Sequence, residues 1–221
     1  AFVPIFAKKF EGEGQEAART FAEEAMAGLL FILLILTIVA ELAMPVLMYA
    51  LAPGFDVEPE KFDLAVLLTR ITMPYLLCMS LVALMSGALN SVGRFAESSS
   101  VSIVLNIVMT TATLIALWLG YKAGPEAGVI QALGVFAAGV LQLALLMWGM
   151  KRAGLSLRLR RPKWTDDLRR LWKLGIPGIV SGGVTQLNIA IGTMIATMQP
   201  GAVSQLYYAD RLYELPLAIV G

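Results

Sequence analysis

"AMAGLLFILLILTIVAELAMPVLMYAL", residues 25–51, carries a single charged side chain, Glu41. A bilayer hydrocarbon core about 30 Å thick takes roughly 20 apolar residues of helix. This run is long enough to cross one, and a helix apolar on all sides belongs in lipid or in a large core. Four more windows share its character: 65–90, 99–121, 127–149 and 174–198. A sixth starts near Ala202, and residues 1–7 read as the tail of an earlier span. Most connections between them are short and punctuated by Gly or Pro, as in "SVGRFAES", "KAGPEAG" and "QPGAVSQ". The pattern predicts an all-α, polytopic transmembrane helical bundle.

Composition agrees. The 221 residues are 58% hydrophobic and only 15% charged, with net charge +1 and no His; the mean hydropathy is +0.75. A soluble domain carries about a quarter charged residues. The near-zero net charge argues against a nucleic-acid partner, which needs a basic face. Absence of His removes the commonest general base and metal ligand. The one cysteine, Cys78, lies in an apolar window and reads as a packing residue. No Gly-rich phosphate loop with a Lys, no metal cluster and no Ser/His/Asp arrangement is visible. The reading is therefore a non-enzyme with no cofactor and no metal. The chain opens "AFVPIF" without Met and stops in an apolar run, so the expectation is an internal segment of a longer membrane protein.

Charge orients the spans. Residues 150–173, "MKRAGLSLRLRRPKWTDDLRRLWK", hold nine Lys and Arg, which marks a cytoplasmic loop. Alternation then puts 8–24 and 91–98 inside, and 52–63, 121–126 and 199–205 outside. Thirteen of the 17 Lys and Arg fall inside, Lys61 and Lys122 fall outside, and Arg70 and Arg211 lie within spans. Trp118, Trp148 and Trp172 sit near predicted span ends, as an interfacial aromatic belt requires. The expected division is 1–24, the end of a span plus an interfacial helix over 11–25; 25–149, four spans; 150–173, the basic loop; and 174–221, two spans, the second cut short. Pro45 and Pro74 predict kinks.

Polar groups inside spans carry the functional reading. A charged residue at a helix centre costs about 2.5–3.5 kcal/mol on insertion scales and usually faces a cavity or a partner. Arg211 lies about ten residues into the sixth window, about 15 Å deep at 1.5 Å per residue. Tyr207, Asp210, Arg211 and Glu214 follow an i, i+3, i+4, i+7 pattern and share one face. Asp210 and Glu214 can hold the guanidinium, whose planar fork suits phosphate. The bland alternative is an Arg–carboxylate pair that only fixes packing. Ser181, Thr185 and Asn188 recur at i, i+4 and i+7 on the fifth window, next to "GIPGIVSGG"; cavity lining and small-residue helix packing both fit them. Arg70 and Glu41 are candidate partners near the outer ends of their spans.

Particular stretches then resemble a known family. "GAVSQLYYADRLYELPLAIVG" (201–221) resembles the eighth-helix signature of the MurJ/MviN lipid II flippases. "AFVPIFAKKF", "LAPGFDVEPEKFDLAVLLTRITMPYLL", "SGALNSVGRFA" and "LNIVM" are similar, in order, to that family's second to fifth helices. "ESSSVSIVLN" departs from it, since members more often enter the fifth helix through a Pro. The resemblance implies a fragment of a two-lobed, pseudo-symmetric fold of the multidrug/oligosaccharidyl-lipid/polysaccharide exporter superfamily. It implies alternating access across the bacterial inner membrane, with the undecaprenyl-diphosphate-linked peptidoglycan precursor as partner in the bilayer, and association with cell-wall synthesis proteins. Arg211 matches the family's cavity arginine, with Asp210 and Glu214 as its neighbours. Two other readings remain: another exporter of the superfamily, for drugs, cations or lipid-linked polysaccharide, and a non-transporting membrane scaffold for cell-wall enzymes.

Overall fold

The computed structural model describes residues 2–55, 58–162 and 165–220, with the side chains of 215 and 217–220 excepted. Among the described residues the chain is helical, without strands. Helix α1 (Phe2–Gly12) stops at Gly14, whose φ of +89° strains any residue with a side chain. Helix α2 (Gln15–Leu42) begins at once. The separate interfacial helix expected over 11–25 is therefore not formed. Nothing after Gly14 breaks the helix, and "QEAARTFAEEA" is rich in helix formers, so it continues straight into the apolar run.

The window 25–51 proves to be two helices. Pro45 has no N–H to give the Glu41 carbonyl, and the chain breaks at Ala43 (φ −90°, ψ 7°) before α3 (Met44–Leu51). The window 65–90 divides the same way. Pro74 cannot donate to the Arg70 carbonyl, and α4 (Pro59–Thr72) and α5 (Pro74–Ser91) meet at Met73. Then follow α6 (Phe95–Trp118), α7 (Pro125–Arg152), α8 (Asp166–Thr197) and α9 (Ala202–Val220). The irregular part of the basic loop is shorter than 150–173, because α7 runs on through Arg152 and α8 starts at Asp166. Lys163 lies outside the described residues. Five stretches are long and apolar enough to cross a membrane: α2, α4 with α5, α6, α7 and α8. Helix α9 is not among them, since its 19 residues include Asp210, Arg211 and Glu214.

The chain forms two compact units, Ala1–Leu42 with Leu68–Gly178, and Ala43–Leu67 with Ile179–Gly221. Two of the crossings fall near prolines: Pro45, where α2 gives way to α3, and Pro177, which lies inside the continuous α8.

The first unit has the denser core. Phe6, Phe21, Leu89, Leu146, Met150 and Leu155 are buried where α1, α2, α5, α7 and the strap after α7 converge. Phe2 stacks on Phe21 at 5.5 Å between ring centroids and tilts against Phe6 at 5.6 Å, tying α1 to α2. Small residues bring the spanning helices close, as lipid-embedded packing requires. A Cβ on Gly134 of α7 would sit 2.8 Å from the Ala112 Cβ of α6. Between the same two helices, Gln142 Nε2 donates to the Val101 carbonyl at 2.9 Å, and Gln131 Nε2 donates to Thr113 Oγ1 at 2.7 Å.

In the second unit Tyr49 of α3 packs on Phe62 of α4, with ring centroids 4.4 Å apart. The turn Pro53–Phe55 meets the C-terminus of α8, where Gly54 N–H donates to Thr197 Oγ1 at 3.2 Å. Thr197 Oγ1 in turn donates to the Met194 carbonyl at 2.6 Å. A Cβ on Gly54 would run into the Thr197 backbone, which cannot swing aside like a side chain. Gly54→Ala is expected to destabilise this unit by about 1–3 kcal/mol through overpacking, while Thr197→Ser, which keeps the hydroxyl, is tolerated. Thermal unfolding of the full-length variants checks both; equal melting of Gly54→Ala and wild type would remove the contact from the account.

Candidate functional site

Helix α9 presents Tyr207, Asp210, Arg211 and Glu214, all exposed. Arg211 Nη1 donates to Glu214 Oε2 at 2.9 Å and Nε donates to Tyr207 Oη at 3.2 Å. The guanidinium also lies 5.1 Å from the Tyr207 ring centroid. Helical spacing alone dictates this clasp, because residues three and four apart are neighbours on the surface. Asp210 does not join it. The sequence suggested that Asp210 and Glu214 together hold the guanidinium, but among the described residues Asp210 forms no ion pair with Arg211. Adjacent helical residues point about 100° apart and do not face each other. Of the five guanidinium donors, three have no partner among the described residues, so a fork face stays open to an oxyanion.

Ser181, Thr185 and Asn188 are exposed on α8. Among the described residues no hydrogen bond links them to the α9 stripe. The sequence left open whether this helix packs closely through its glycines; a Cβ at Gly178, Gly182 or Gly183 would meet nothing within 4 Å. A cavity of about 450 Å³ where α8 and α9 join is lined by Ile195, Gln199, Gln205 and Ala209, among others, and none of the predicted site residues lines it. Arg70, at the C-terminal end of α4, is exposed and belongs to the other compact unit. Glu41 and Arg70, candidate partners, form no ion pair with each other among the described residues.

Sequence reasoning missed the most buried charge among the described residues. Glu23 on α2 is 0% exposed. It accepts from Arg19 Nε at 3.0 Å and from the backbone N–H of Arg158 at 2.9 Å, and it pairs with Arg160. Thr165 Oγ1 donates to Glu24 Oε2 at 2.8 Å, and Lys9 Nζ lies 2.9 Å from Asp167. The hydrogen bond to Asp167, reinforced by Glu13, holds the Lys9 ammonium above its ordinary pKa despite partial burial. The described part of the basic loop, residues 153–162 with Thr165, is thus a strap fastened along α1 and α2, and its own Leu155 is buried against them. Arg19 four residues before Glu23 was the available signal; the partners on the strap, more than 130 positions away, left none.

A family model described as lipid II flippase MurJ matches residues 1–221. A probable lipid II flippase MurJ from Rhizobium tropici is 46% identical over 222 aligned residues, covering 100% of this chain and 42% of that protein. A protein of the same description from Rhizobium meliloti is 43% identical, with 100% and 41% covered. The lipid II flippase MurJ of Burkholderia cenocepacia is 31% identical, with 100% and 43% covered. The chain therefore spans less than half the length of the curated relatives it matches. A match along every residue, on a polytopic set of apolar helices, places this multi-pass membrane chain in the lipid II flippase MurJ family.

Proposed function

We propose that the protein to which this chain belongs moves the undecaprenyl-diphosphate-linked peptidoglycan precursor across the bacterial inner membrane, and that Arg211 receives its diphosphate. The observation that carries this is the open guanidinium fork of Arg211, held from one side by Tyr207 and Glu214. A planar fork binds phosphate oxygens in pairs. In this reading Ser181, Thr185 and Asn188 of α8 line a substrate cavity that the rest of the transporter completes, and Asp210 flanks Arg211. The basic strap faces the cytoplasm, and the cavity opens alternately inside and outside as the two lobes of the complete transporter rock. The protein works as a transporter rather than an enzyme, alongside cell-wall synthesis proteins. A cation exporter is less well supported, because Glu214, the natural cation ligand on this stripe, is already paired with Arg211.

The test is complementation of flippase-depleted cells by the full-length protein carrying Arg211→Ala or Arg211→Lys, with transport of the labelled precursor measured in parallel. The side chain is exposed, so neither change should disturb folding. Losing a charge-assisted phosphate contact is worth about tenfold or more in transport, so the Ala variant is expected to fail. Lys keeps charge without the fork and is expected to fall between Ala and wild type. Normal growth with normally expressed Ala protein would sink the proposal.

A further inference from the structure

The first unit contains a cavity of about 500 Å³ that the transport reading does not use. Met26 of α2, Met85 of α5, Met147 and Trp148 of α7, and Leu157 of the strap line it, and Lys151 stands on its wall in the last turn of α7. The volume is in the range of small-molecule sites, about 300–1,000 Å³, and falls far short of what a long polyprenyl tail would fill. Apart from Lys151 and Ser156, every lining residue is apolar or aromatic. Ordered water there would lack the two to four polar partners it needs, and a polar ligand body would lose its hydrogen bonds. An empty space would forfeit dispersion contacts. Thioethers adapt to a flexible apolar guest.

The rim selects the headgroup. The Arg152 guanidinium lies 4.7 Å from the centroid of the Trp148 ring, so the cavity wall is also a cationic shelf. Trp prefers headgroup depth, with its ring between water and hydrocarbon. Basic pockets at that depth between spanning helices recruit anionic lipid headgroups. We propose that this cavity holds one acyl chain of an anionic phospholipid, with its phosphate against Lys151 and Arg152. The occupant is a structural lipid beneath the strap, and its binding does not depend on what the protein transports.

The test uses the full-length protein in nanodiscs containing phosphatidylglycerol or phosphatidylcholine with a brominated acyl chain. Bromine quenches a nearby indole, and the Trp148 contribution is the difference between wild type and Trp148→Phe. Phosphatidylglycerol should quench Trp148 about fivefold more effectively than phosphatidylcholine at the same mole fraction. The double variant Lys151→Gln, Arg152→Gln should erase that preference, and Lys151→Arg should keep it. Both positions are exposed, and the melting temperature confirms that the variants are folded. Equal quenching by the two lipids, or a preference that survives the double Gln change, would overturn the proposal. So would stronger quenching by a brominated lipid-linked precursor than by phosphatidylglycerol, which would assign the cavity to substrate.

Discussion

Glu23→Lys is expected to leave little folded full-length protein in the membrane. Glu23 is fully buried and fastens the strap through the Arg158 N–H and the Arg160 side chain, while Arg19 closes the cluster from its own helix. Removing one partner of a buried ion pair costs about 3–5 kcal/mol when the other is stranded. Here the two arginine side chains are 31% and 48% exposed and can rehydrate, so Glu23→Ala should cost less, about 2 kcal/mol. Glu23→Gln retains an acceptor for the Arg158 N–H and loses only the charge, for about 1–2 kcal/mol. Lys places a third cation in a site shielded from water, on the order of 4–5 kcal/mol, against a total stability of about 5–15 kcal/mol. The expected order of melting temperature is wild type, Gln, Ala, Lys, measured on detergent-solubilised full-length protein with its monodisperse yield. None of the three changes makes the basic side of the protein less basic, so the charge bias that orients the spans is kept. A Lys variant that melts and expresses like wild type would show that the cluster does not hold the strap.

Gly139→Leu should be nearly as damaging, by steric rather than electrostatic means. A Cβ at this position of α7 would lie 2.6 Å from Tyr75 Cδ2 and 3.1 Å from Cys78 Cβ, both on α5. The Tyr75 ring is half-buried and can tilt, but the Cys78 Cβ is fixed to the helix backbone. Gly139→Ala is expected to cost about 1 kcal/mol and Gly139→Leu about 3 kcal/mol, because lipid-embedded helices depend on close backbone approach. If the Tyr75 ring is the main obstacle, Tyr75→Leu combined with Gly139→Ala should recover part of the loss. Strict additivity in that cycle would place the clash elsewhere.

The Arg211 clasp was legible in the sequence, and the Glu23 cluster was not, for one physical reason. A helix fixes its own surface neighbours, so Tyr207, Arg211 and Glu214 had to meet once the segment was helical. The same local geometry excludes Asp210, a point the shared-face argument passed over. The breaks near Ala43 and Met73 were readable from Pro45 and Pro74, whose missing N–H groups act within one turn. Length and apolarity of the windows announced the spanning helices. The chain by itself thus determined the helical class, the membrane character of the long windows and the Arg211 contacts three and four residues away. Tertiary structure alone decided that the basic loop docks as a strap, that Glu23 is fully buried beneath it, and that Gly139 meets Tyr75. Those contacts join residues far apart in the chain, and burial depends on which faces of distant helices pack together, which spacing along one helix does not encode.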